Sequence, residues 1–216
     1  GRTEPALIVA YDLGGAPDCR RAPYLSYRRS DEEPEWADLW YMGTQVGADA
    51  ALLLADPGFG RCTIDKAGAF IDRFWDGAAG GGYLARGKPD GSSFLRPDKY
   101  VDDQGHLGLM LLDAWQATGD PAQLERARRA ADFLIHSGVW DATFGGGFWW
   151  NNRHGDSPEG KPAQANGLAV QLFAELYGAT GERGASSFGY ALIASTSGVV
   201  ALLMVLVVIL MVARPA

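Results

Sequence analysis

Asp102 and Asp103 stand side by side, after Tyr100-Val101 and at the head of an apolar stretch. Cleaving a glycosidic bond with retention takes two carboxyl groups about 5–5.5 Å apart, one to attack the anomeric carbon and one to protonate the leaving oxygen. Neighbouring residues at a loop-to-helix junction can supply that separation, because outside a strand their side chains need not point to opposite faces. A helix N-terminus favours an ionised carboxylate. Crowding of two like charges raises the pKa of the other and keeps a proton on it. The same residues also suit a plainer role, since aspartate is a favoured helix cap. Both readings stay open on spacing alone.

The elements that must hold this pair come from a repeat. Trp140-Asp141, followed by Gly145-Gly146-Gly147-Phe148, restates Trp75-Asp76, followed by Gly80-Gly81-Gly82-Tyr83, 65 residues further on. At the same offset Asp38-Leu-Trp-Tyr-Met-Gly43 falls on Asp103-Gln-Gly-His-Leu-Gly108, and Asp56-Pro57 falls within one residue of Asp120-Pro121. A unit that returns at fixed spacing signals a fold built by stacking one motif. Each unit reads as an apolar helix, a turn, a second helix, then Trp-Asp and a glycine-rich loop: a helical hairpin with a long return.

In the second unit, Leu107, Met110, Leu111, Ala114 and Trp115 recur at three- and four-residue spacings, and Leu109 and Leu112 widen the stripe. That helix is expected to be buried almost all round. After Gly119-Asp120-Pro121, a helix start, Leu124, Ala127, Ala131, Phe133 and Leu134 form one apolar face, while Glu125, Arg126, Arg128, Arg129 and Asp132 are expected to be solvated. Buried inner helices paired with half-wet outer ones make a ring of hairpins, so the fold class is all-α, an α/α toroid. A third unit begins at Ala165-Asn166-Gly167-Leu168 and ends at Thr180-Gly181-Glu182 without an outer partner. The toroid is therefore expected to be incomplete, about two and a half hairpins over residues 36–184.

The flanks differ. Residues 1–35, with Gly14-Gly15, Pro17, Pro23, two arginine pairs and Asp31-Glu32-Glu33-Pro34, read as an extended arm. Residues 185–190 read as a linker. Residues 191–213 are 23 in a row without a charge; at ~1.5 Å per residue a helix of this length reaches roughly 35 Å, enough to cross a hydrocarbon core of about 30 Å. A single C-terminal transmembrane anchor in the lipid bilayer is expected, a buried core helix being the alternative. Arg214 beyond it is a positive-inside cue that leaves the globular part extracytoplasmic.

Net charge is −7, which repels polyanions, so no nucleic-acid partner is expected. Seven tryptophans and eight tyrosines offer faces for sugar rings, though core packing employs the same residues. Cys19 and Cys62 could form one disulfide or remain thiols. His106, His136 and His154 show no ligand spacing, and neither a metal nor another cofactor is expected.

The ordered set Phe74-Trp75-Asp76, Gly81-Gly82-Tyr83, Tyr100-Val101-Asp102-Asp103-Gln104-Gly105, Ala117-Thr118-Gly119-Asp120, Trp140-Asp141 and Gly145-Gly146-Gly147-Phe148-Trp149-Trp150 resembles family 76 glycoside hydrolases over roughly residues 67–182. Those are endo-α-1,6-mannanases with an (α/α)6 toroid and adjacent catalytic aspartates. The resemblance implies Asp102 as nucleophile and Asp103 as acid/base. It implies substrate contacts at Trp149, Trp150, Gly146 and Gly147, and more weakly at Tyr83 and Tyr100. The family's Asn-Ala-x-x-Asn-Glu stretch is present only as Gln164-Ala165-Asn166-Gly167.

Two functions follow as expectations. One is a membrane-anchored glycoside hydrolase acting on α-mannan-type glycans by a retaining, two-carboxylate mechanism. The other is a non-catalytic accessory subunit of a membrane complex, with protein partners covering the apolar side that an open half-ring exposes. A third, sugar 2-epimerase-like reading shares the motif grammar but relies on cavity histidines, for which only His106 is placed.

Overall fold

The computed structural model describes residues 36–57, 61–88, 92–154 and 160–181. The expected arm at 1–35, linker at 185–190 and membrane helix at 191–213 lie outside the described residues, as does Cys19. Cys62 is disulfide-bonded. Among the described residues no helix is long and apolar enough to cross a membrane.

Among the described residues five α-helices follow the repeat: α1 (Leu39–Ala55), α2 (Cys62–Ile71), α3 (Val101–Thr118), α4 (Pro121–His136) and α5 (Ala163–Thr180). α1 with α2 and α3 with α4 are hairpins, and α5 opens a third, which is the arrangement of part of an α/α toroid. α3 lies at the centre, packed on α1 to one side, α5 to the other and α4 behind. Glycines permit the close approach. A Cβ on Gly105 would meet Leu168 Cβ at 2.8 Å, and one on Gly108 would meet Leu172 at 2.7 Å. From α1, Gly43 faces His106 and Gly47 faces Met110.

The turn between α3 and α4 is locally encoded. Gly119 closes α3 at φ 69°, and Asp120 caps α4 by accepting the N–H of Ala122 at 3.0 Å, with Pro121 in the first turn. The apolar face of α4, Leu124 through Leu134, is buried as expected. Its polar face is not uniformly solvated, which corrects the sequence reading. Arg126 is half-buried and donates through Nε and Nη2 to both oxygens of Asp72, at 3.0 and 2.7 Å. Asp72 lies just beyond α2, so this bidentate pair ties the second hairpin to the first.

The glycine-rich returns supply what a purely helical reading lacked, namely short antiparallel ribbons. β1 (Ala37–Asp38) pairs with β2 (Arg86–Gly87), and β3 (Trp140–Asp141) pairs with β4 (Gly147–Phe148). The first copy of the Trp-Asp loop closes through a single bridge, Trp75 to Tyr83. The two copies share their backbone course: Ala79 and Phe144 sit at φ 49° and 55°, and the three glycines after each are also at positive φ. That run of left-handed residues is why glycine recurs.

A deeper equivalence secures both loops. The buried Lys99 ammonium donates to the carbonyls of Asp76, Ala78 and Gly81 and pairs with the Asp76 carboxylate; Lys161 does the same for Asp141 and the Thr143 carbonyl. The Gln104 side chain then clamps Tyr83, giving and taking backbone hydrogen bonds at 2.7 and 2.9 Å. Asn166 does this to Phe148, at 3.0 and 2.7 Å. Each return loop is thus bolted to the first turns of the next inner helix. The chain that leaves the second loop, Trp149–Trp150, is thereby delivered to the head of α3.

Candidate active site

α3 begins with Tyr100 as its N-cap residue, in an extended conformation and without a side-chain cap. Asp102 and Asp103 occupy the first turn. The second loop reaches the same point, since Val101 N–H donates to the Trp150 carbonyl at 2.7 Å. Trp150 Nε1 donates to Asp102 Oδ1 at 3.0 Å, and the Asp103 N–H donates to the same oxygen at 3.1 Å. The carboxylate is therefore held at one oxygen by a tryptophan and one helix N–H.

Both aspartates line a cleft of about 490 Å³, bounded by Asp38, Trp40 and Tyr41 at the head of α1, by Ala85, Arg86, Leu95, Arg96 and Asp98 from the return, and by Tyr100 and Trp150. Asp38 and Arg86 form a two-pronged pair across the β1–β2 ribbon, with bonds of 2.7 and 3.1 Å. That engagement explains why Asp38, the residue before α1, makes no cap bond. Asp98 is paired with Arg153 at 3.3 Å.

Burial and charge separate the two candidate catalytic groups. Burial pushes Asp102 above the usual carboxylate range, but the Trp150 and Asp103 N–H donors oppose the shift. Burial also raises Asp103, well above its ordinary value, and the charges of Asp102 and Asp38 add to the rise. Donors to one carboxyl thus favour its charged form while burial and two neighbouring charges favour the neutral form of the other, the asymmetry that a nucleophile and an acid need.

Of the residues singled out from sequence, Asp102, Asp103, Tyr100 and Trp150 come together at the cleft. Tyr83 does not, which corrects that expectation: it has no exposed surface, lies edge-on to Trp75 and reaches the Arg126 carbonyl at 3.4 Å. Trp149 is turned away, stacked on His154 at 5.2 Å and bonded through Nε1 to Asp141 at 2.8 Å. Gly146 and Gly147 shape the loop rather than the cleft; a Cβ on Gly147 would meet Asn166 Oδ1 at 3.0 Å. His106 stacks on Trp40 at 4.2 Å, with Nε2 3.1 Å from Thr44 Oγ1, and burial lowers its pKa. Among the described residues no cluster suited to a metal ion is present.

Sequence reasoning missed the opposite wall. Asp38 and Trp40 carried a signal, because the repeat sets Asp38 on Asp103. Arg86, Leu95 and Arg96 carried none, since the sequence between the first glycine-rich loop and α3 is not repeated in the second unit.

Residues 89–190 match the family model described as Glycosyl hydrolase family 76, a stretch that includes the acid pair and Trp150 and follows Asp38 and Arg86. No curated protein matches. Solved structures are similar in fold. A family 76 α-mannanase of Bacteroides thetaiotaomicron superposes with a TM-score of 0.71 at 18% identity, covering 88% of this chain and 50% of that one. A cellobiose 2-epimerase of Spirochaeta thermophila gives 0.63 at 16% identity, covering 82% and 47%. An inactive α-1,6-mannanase of Salegentibacter sp., with two consecutive aspartates replaced by asparagine and α-1,6-mannotriose bound, gives 0.56 at 18% identity, covering 74% and 49%. The chain spans about half the length of each. The family model points to family 76 for the stretch it matches, and the likeness in structure establishes the helical fold.

Proposed function

We propose that the chain is the catalytic part of a glycoside hydrolase that cleaves α-mannan-type glycans with retention. Asp102 attacks the anomeric carbon, forming a glycosyl ester as Asp103 gives its proton to the departing oxygen. Asp103 then takes a proton from water, and that water releases the sugar from Asp102. The observation that carries this reading is the pair's placement: two adjacent carboxyls on one cleft, one bonded to Trp150 and the other raised well above its ordinary pKa. Supporting it are the family match and the neighbour whose inactive form lacks two consecutive aspartates.

Incubation of the full chain with an α-1,6-mannooligosaccharide tests the reading. Cleavage is expected, with Asp102→Asn and Asp103→Asn each reducing kcat by about 10²–10⁴-fold while far-UV circular dichroism stays unchanged. Absence of cleavage, or full activity in either variant, would overturn it and favour the docking-subunit reading. Membrane anchorage through residues 191–213 belongs to the same proposal, supported by the 23 uncharged residues. The protein is then expected to stay with membranes through alkaline carbonate washing and to be released once that segment is deleted.

A further inference from the structure

The sequence suggests Trp150 as a surface for sugar to stack on, but its hydrogen bond points to another task. Nε1 donates to Asp102 Oδ1, and the Asp103 N–H ends on that same oxygen. Two donors therefore converge on Oδ1. A carboxylate attacks through one oxygen, and the oxygen already accepting two donors is the weaker nucleophile.

The mount is stiff. Trp150 and the first turn of α3 are joined through the backbone, by Val101 N–H to the Trp150 carbonyl at 2.7 Å and by the bridge between Tyr100 and Asn151. Trp150 N–H donates to the Gly160 carbonyl at 3.1 Å, and the Tyr100 ring lies 5.1 Å from the indole. Donor and acceptor therefore move as one body, so the geometry of the attacking group is set before substrate arrives.

We propose that Trp150 is a positioning residue for the nucleophile: its indole N–H fixes Asp102 by Oδ1, selects Oδ2 as the attacking atom and favours the ionised carboxylate. This rests on the catalytic reading of Asp102 given above. A stacking role and a positioning role separate cleanly in Trp150→Phe, which retains an aromatic face and loses the donor. A platform predicts a change mainly in KM. Positioning predicts a fall in kcat of about tenfold or more with KM within about twofold, because a hydrogen bond to a charged group is lost. It also predicts that the acidic limb of the kcat/KM profile moves up by about one pH unit, since Asp102 loses a donor to its charged form.

A second measurement needs neither turnover nor a folded Trp150 variant. In the full chain labelled with 15N-tryptophan, the assigned Trp150 indole resonance is expected to titrate with Asp102 at acid pH, and that titration is expected to vanish in Asp102→Ala. An indole that ignores both pH and Asp102→Ala overturns the inference, as does a Trp150→Phe enzyme with unchanged kcat and unchanged acidic limb. If the indole titrates but the wild-type chain cleaves no mannan, the contact stands and the hydrolase reading is what fails.

Discussion

At the residue scale, two adjacent aspartates must carry different protonation states. On the proposed mechanism Asp102 must be ionised to attack and Asp103 protonated to donate, so activity is expected to be lost as pH falls through the pKa of Asp102 and again as it rises through that of Asp103. Asp38 contributes to the second limb, because its charge helps hold the proton on Asp103. Asp38→Asn is therefore expected to move the basic limb of kcat/KM to lower pH, by about one unit or less; an unmoved limb would show that Asp38 has no hold on that proton. The doublet itself is legible in sequence, because adjacent carboxylates at a helix head suit either a cap or acid–base chemistry. Its environment is not: the donor from Trp150 spans 48 residues of chain. Tyr83 illustrates the same limit, since a tyrosine after a glycine loop looks alike in sequence whether it faces a cleft or the core.

At the element scale, the repeat makes the hairpins readable, since inner and outer helices differ in the width of their apolar stripes and Gly119-Asp120-Pro121 spells out a turn. The clamps that register loops to helices are hidden. Lys99 and Lys161, like Gln104 and Asn166, recur at an offset of 62 residues rather than 65, because the irregular segment between loop and helix differs in length in the two units. The buried Lys99 is the firmest of these clamps, with Nζ held by three carbonyls and Asp76. Lys99→Met withdraws the ammonium from all of these acceptors and is expected to cost about 3–5 kcal/mol in a denaturant titration. Gly105→Ala drives a Cβ into Leu168 on α5 and is expected to cost about 1–3 kcal/mol through overpacking between α3 and α5. A neutral Gly105→Ala would mean that the inner helices are not in the contact described.

At the scale of the whole molecule, carboxyl groups pull the pH dependence of stability in two directions. The Ala78 N–H and the Lys99 ammonium hold Asp76 below its ordinary pKa despite its burial, and Lys161 with Thr143 holds Asp141 down. These depressed groups add stability above their unfolded pKa, near about 4, and that contribution is lost as pH falls through their folded values. Asp113 behaves oppositely. Burial and the charge of Glu175 on α5 push it up to about 6, so it destabilises the fold fully above that pH, and the penalty fades as pH falls toward about 4. Asp113→Asn is expected to raise Tm at pH 7.5 by more than at pH 4.5. An equal shift at both would locate its effect elsewhere. The hairpins are legible as copies of one repeat, whereas the walls of the cleft, drawn from α1, the first return and the second loop, emerge only when the three are packed together.

The central claim, retaining hydrolysis by Asp102 and Asp103, is tested most directly by following the anomeric protons while the full chain cleaves an α-1,6-mannooligosaccharide. The α-anomer is predicted to appear first and the β-anomer only later by mutarotation, because two inversions at carbon restore the starting configuration. A β-anomer formed first would contradict the claim, since the two carboxyls would then be activating water directly rather than passing the sugar through an ester on Asp102.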